Sequence, residues 1–147
     1  MSRTISFCIV LFSIVPAYIY AEDRRREQNL DGKWIIESDE YNGTELDDPE
    51  NGSPDQKRYL LIKNGNLSFV LENKILATCK IKADFTKVPN QLDVTIKHGR
   101  TIPGIFVSTS SYLIVSVSLS PDEDRPTSFN STDKPNSTMV LVLRRIK

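Results

Sequence analysis

The chain has one histidine, two cysteines and one tryptophan in 147 residues. Each scarcity excludes something. A structural zinc site needs four ligands, mostly Cys and His, and Cys79 and His98 cannot supply them. A Ser-His-Asp arrangement would have to use His98, which sits in the turn "KHGR", unsheltered and unoriented. No Gly-x-x-x-x-Gly-Lys, Gly-x-Gly-x-x-Gly or His-Glu-x-x-His occurs. Carboxylates pair up only in polar loops, as in Asp47-Asp48 and Asp122-Glu123-Asp124, where nothing perturbs them for acid/base work. Those loops show no calcium-ligand spacing either. The expectation is a chain that is not an enzyme and holds neither cofactor nor metal.

Charge of one sign is also lacking. Lys and Arg number 19, and Asp and Glu also 19. A near-neutral chain exerts no pull on nucleic acid or an anionic membrane. Arg24-Arg25-Arg26 is offset by Glu22, Asp23 and Glu27, and reads as a solvated tail.

No apolar run is long enough to cross a bilayer as a helix. Residues 5–15 (ISFCIVLFSIV) follow Arg3 and lead to the small residue Ala21, the layout of a secretory signal peptide. Cleavage is expected after Ala21, with Ala17 as the alternative. The expected organisation is a signal peptide over 1–21, a flexible lead-in over 22–29 and one β domain over 30–147. The expected location is secreted or periplasmic/cell envelope, with no stable membrane insertion once the signal is cleaved. Cys79 is then the one cysteine left, so no intrachain disulfide supports the fold. Five Asn-x-Ser/Thr triplets begin at Asn42, Asn51, Asn66, Asn130 and Asn136. In a eukaryotic host they would mark glycosylation; in a bacterium they reflect Asn- and Ser-rich loops.

No window carries a sustained 3.6-residue period. Short apolar or alternating runs predict eight strands over 33–39, 58–64, 66–71, 74–84, 91–97, 101–107, 111–119 and 138–146. Asn64-Gly65 is a tight-hairpin signal, because both residues tolerate positive φ. Short links favour an antiparallel meander over βαβ units. Two stretches without apolar pattern, 40–57 and 120–137, are expected to be long surface loops, a common place for function. In strand 74–84, Ile75, Ala77, Cys79, Ile81 and Ala83 share one parity and are expected to face inward, with Cys79 an inert, shielded thiol.

Trp34 heads the first strand in "DGKWIIES", two residues after Gly32. Gly-x-Trp in that place resembles lipocalin-like barrels, in which the Trp plugs one end and a basic residue of the last strand crosses its ring. Arg144 and Arg145 in "LVLRRIK" are the candidates. Adjacent strand residues face opposite sides, so only one can serve; Arg145 shares a face with Leu141 and Leu143. A lone core Trp in another β-sandwich is the alternative. The expected fold is therefore all-β, a small antiparallel up-and-down, lipocalin-like barrel of about eight strands.

Ordered blocks extend the resemblance: "LDGKWIIESDEYNGTEL" (30–46), "YLLIKNGNLSF" (59–69), "KVPNQLDVTI" (87–96), "IPGIF" (102–106), "DRPTSF" (124–129) and "MVLVLRRIK" (139–147). Together they resemble a family of secreted, uncharacterised domains expanded in planctomycete bacteria, across nearly all of 30–147. Asp124 stands for the family's usual Glu, Phe106 for its Tyr, and Pro103 precedes the Gly. The resemblance implies fold and compartment but no catalytic residue. Arg125, Pro126 and Phe129 read as a loop anchor, Arg125 having ligand contact as the alternative.

The leading functional expectation is a non-catalytic domain that binds a small apolar ligand within the barrel. Its lining would include Ile75, Ala77, Cys79, Ile81, Leu92, Val94, Ile96, Leu113, Val115 and Val117. A cavity of about 300 Å³ or more would support binding, whereas a filled interior would count against it. The alternative is a cell-surface or extracellular interaction module using loops 40–57 and 120–137.

Overall fold

The computed structural model describes residues 29–45, 58–133 and 137–146. The expected signal peptide, almost all of the lead-in, and residues 46–57 of the first long loop lie outside them.

The described chain is almost entirely β. Nine strands run in order: β1 (Gly32–Tyr41), β2 (Thr44–Glu45), β3 (Arg58–Lys63), β4 (Asn66–Leu71), β5 (Lys74–Asp84), β6 (Asn90–Thr95), β7 (Thr101–Ser108), β8 (Tyr112–Ser118) and β9 (Thr138–Ile146). From β3 to β9 each strand pairs antiparallel with the next. β1 pairs with β3 on one side and β9 on the other, closing an eight-strand up-and-down barrel, while β2 is a short addition on β1. Closure leaves no long open edge, the liability of a flat sheet.

Turn chemistry sets the meander. Asn64-Gly65, with φ of 51° and 72°, joins β3 to β4. Glu72-Asn73, at 48° and 65°, joins β4 to β5. Both match the left-handed pairs that suit the twist of two-residue hairpins. Asn42-Gly43 does the same at 54° and 72°. Residues 40–45 are therefore the end of β1 and the β1–β2 hairpin, not loop as expected. The predicted strand 91–97 is shorter, since Lys97–Gly99 forms a 3-10 turn with His98 at φ 64°.

Two β-bulges break the alternation. In β1, Ile36 pairs with Leu143 and Ser38 with Val142, leaving Glu37 extra. In β5, Ala77 pairs with Phe69 and Ile75 with Val70, leaving Leu76 extra. Each extra residue turns the remainder of its strand to the opposite face. Parity alone places Ile75 inside. Across the bulge from Ala77 it faces out instead, 63% exposed.

The two ends of the barrel differ. At one end Trp34, Phe106, Leu113 and Leu143 are nearly inaccessible and pack with Leu30, Leu60, Ile62 and Leu92. Phe85 meets Phe106 edge-on, ring centres 5.2 Å apart. Burial of each such side chain stabilises by roughly 1.5–3 kcal/mol. The other end carries the β1–β2, β4–β5, β6–β7 and β8–β9 connections, and among the described residues the interior there is unfilled.

Candidate functional site

The plug at the closed end begins with Gly32. Its φ of 152° suits glycine, and a Cβ there would lie 3.4 Å from Arg145 Nη1 and 3.7 Å from Trp34 Nε1. The Trp34 indole N–H donates to the Leu30 carbonyl at 2.9 Å, satisfying the one polar atom of a fully buried ring. Arg145 pairs with Trp34 across β1–β9, and its guanidinium carbon sits 4.4 Å from the ring centre. Arg145 also donates to the carbonyls of Asp31 (2.9 Å) and Asn29 (3.0 Å), tying down the incoming chain. Burial pushes its pKa below the ordinary arginine value, and nearby Asp31 partly restores it. Arg144 points outward and ion-pairs with Glu37, the bulge residue of β1.

Above the plug the interior is not filled. An apolar cavity of about 370 Å³ opens at the end away from Trp34. Its size falls in the range of small-molecule sites. Of the ten lining residues expected from sequence, the structure brings eight to its wall: Cys79 and Ile81 from β5, Leu92 and Val94 from β6 with Ile96 just beyond, and Leu113, Val115 and Val117 from β8. Ile75 is absent because of the bulge. Ala77 is absent too; it stays opposite Phe69 but sits at the exposed rim.

Other strands complete the wall, with Ile36 of β1, Leu60 and Ile62 of β3, Leu67 and Phe69 of β4, Ile102 of β7, and Met139 and Leu141 of β9. Alternation within "RYLLIK" and "MVLVLRRIK" could have flagged those on β3 and β9. Polar groups in the lining are few: the Cys79 thiol, Ser118 and the Asp39 carboxyl. Cys79 is free and half-buried.

Residues 120–133 of the second long loop do not line the cavity. Arg125 donates to the carbonyls of Leu92 (3.1 Å) and Gly104 (2.6 Å) and ion-pairs with Asp93 at 2.7 Å. Asp93 alternates with the inward Leu92 and Val94, so this clamp is on the outer wall of β6 and β7. Ser118 Oγ donates to the Asp124 carbonyl at 2.8 Å. The buried Ser131 hydroxyl donates to Glu40 and accepts from the Gly43 amide at 2.7 Å. Pro126 is buried and Phe129 half-buried, neither in the cavity wall. Arg125 thus holds residues 120–133 to the barrel and does not reach the cavity.

Gly104 is the close-approach point. A Cβ there would fall 2.8 Å from the Ser116 carbonyl oxygen and 2.8 Å from Val117 Cγ1. Among the described residues, no three His, Cys, Asp or Glu side chains gather where they could hold a metal ion. His98 lies exposed in its turn. No family model, curated protein or solved structure matches the chain.

Proposed function

We propose that this chain is an exported, non-catalytic carrier of one small, mainly apolar molecule, built like the planctomycete-type domains its sequence resembles. The observation that carries the reading is the open apolar cavity of about 370 Å³. A barrel stabilised only by its core would gain from filling that space, since each unfilled methyl-sized void costs on the order of 1 kcal/mol. An apolar guest would recover the lost contacts. The outer wall supports an aqueous setting: Lys80, Lys82 and Asp93 lie mid-strand on the face opposite the cavity residues Cys79, Ile81, Leu92 and Val94. A membrane barrel has the reverse arrangement, with an apolar exterior and a polar interior.

The reading as an interaction module has less support. Arg125, Pro126 and Ser131 commit residues 120–133 to the barrel's own wall, and 46–57 lies outside the described residues. The test is native mass spectrometry of protein purified from its own host. A mass increment of a few hundred daltons that organic extraction removes supports the carrier. An empty protein that co-purifies with a stoichiometric protein partner supports the module.

A further inference from the structure

The Asp39 carboxyl deepens the carrier reading and rests on it. By simple alternation from Trp34 and Ile36, the inward residues of β1 would be Ser38 and Glu40. The bulge at Glu37 reverses this. Beyond it, Asp39 pairs with the cavity residue Leu141, while Glu40 pairs with Val140 and reaches Ser131 on the outside. The bulge is held on the outer face by the Glu37–Arg144 ion pair. The result is a carboxyl group in the wall of an otherwise apolar cavity.

Asp39 is the charged residue of that wall among the described residues, and no cationic side chain lines it. Among the described residues its carboxyl has no hydrogen-bond or ion-pair partner. Across the sheet its register partner is Leu141, which pairs in turn with Val115, both apolar residues of the same wall, and Asp39 itself is half-buried. A carboxylate placed there without a partner loses solvent and gains nothing. A cation on the guest would supply the missing partner, and a charge-assisted hydrogen bond in a half-buried site is stronger than a pair in open water. A metal ion does not fit the donor set, because hard cations take several oxygen ligands and no acidic cluster stands here.

We infer that the cavity takes amphiphilic cations: molecules with an apolar body lying between β5, β6 and β8 and a protonated amine against Asp39 of β1. The bulge in β1 makes this selectivity, since it alone turns the carboxyl inward.

The test uses three probes with the same chain, decylammonium, decanol and decanoate. Each displaces the neutral fluorophore N-phenyl-1-naphthylamine from the full mature protein and from Asp39→Asn, below the probes' aggregation concentrations. The expected result is decylammonium binding about tenfold or more tighter than decanol, with decanoate weakest. In Asp39→Asn the ratio of amine to alcohol affinity should fall to about one. Equal binding of amine and alcohol by wild type, or an amine preference that survives Asp39→Asn, overturns the inference and leaves the carrier reading standing. If neither the fluorophore nor any probe binds, both fall together. The wild-type comparison decides even if the variant folds poorly.

Discussion

The guanidinium of Arg145 sits 4.4 Å above the ring of Trp34, and the two residues are direct partners across the β1–β9 seam. The contact lies on the β1–β9 seam that closes the circumference, and it belongs to the packed end of the barrel, away from the cavity's opening.

Removing the ring should be costly. Trp34→Ala is expected to lose about 3–5 kcal/mol in denaturant melts, the range for emptying a large core site. Arg145→Ala is expected to lose about 1–2 kcal/mol, from the ring contact and two carbonyl bonds. Arg144→Ala should lose less than about 1 kcal/mol, since its pair with Glu37 is half exposed. A wild-type melt for Trp34→Ala would contradict the plug.

Gly104→Ala should destabilise by about 1–3 kcal/mol, because the added methyl would overlap backbone and Val117 where nothing flexible can yield. Equal stability of the two proteins in the same melts would show that β7 and β8 can separate at that point.

Arg125→Ala should free the outer-wall loop without emptying the cavity. Limited proteolysis is expected to cut within 120–137 several times faster than in wild type, with binding of an apolar probe unchanged. Loss of probe binding with an intact loop would place Arg125 in the ligand's path, against its bonds to Leu92, Gly104 and Asp93.

Cys79 lines the cavity and is half-buried. N-ethylmaleimide should modify it slowly in the folded protein, more slowly still when decanol fills the cavity, and rapidly in denaturant. Fast native labelling that decanol does not slow would turn β5 inside out, since a one-residue slip reverses every side chain.

Asp84 accepts bonds from the Thr86 hydroxyl and amide, chiefly the hydroxyl, and these hold its carboxyl below the ordinary carboxylate value. A lowered native pKa means stability that is present above the unfolded value and lost as pH falls through the native one. Carbon-detected NMR titration should show Asp84 titrating below an unfolded reference, and Thr86→Ala should move it back upward. No movement in Thr86→Ala would contradict the cause.

How much is legible in the sequence depends on whether the alternation holds. In β6 and β8, which carry no bulge, parity alone places Leu92, Val94, Leu113, Val115 and Val117 in the wall. In β5 it holds for Cys79 and Ile81 and fails for Ile75, and in β1 it fails for Asp39. A bulge inserts one residue with no compositional mark: Glu37 and Leu76 look like their neighbours. Its consequence is that the charged member of the site is hidden while the apolar ones are visible. The β1–β2 hairpin escapes the pattern for a different reason. Asn42-Gly43 has the same signature as Asn64-Gly65, but the polar run after it masks the two-residue strand. Arg125's partners, Leu92 and Gly104, lie 33 and 21 residues away, beyond any local pattern.

The most direct test of the barrel interior as one apolar binding site is a fluorescence titration of the protein with N-phenyl-1-naphthylamine. Saturable, blue-shifted emission at one probe per chain is expected, abolished by decanol competition and lost on unfolding. Emission that rises without saturation, or that is the same for folded and denatured protein, would contradict it.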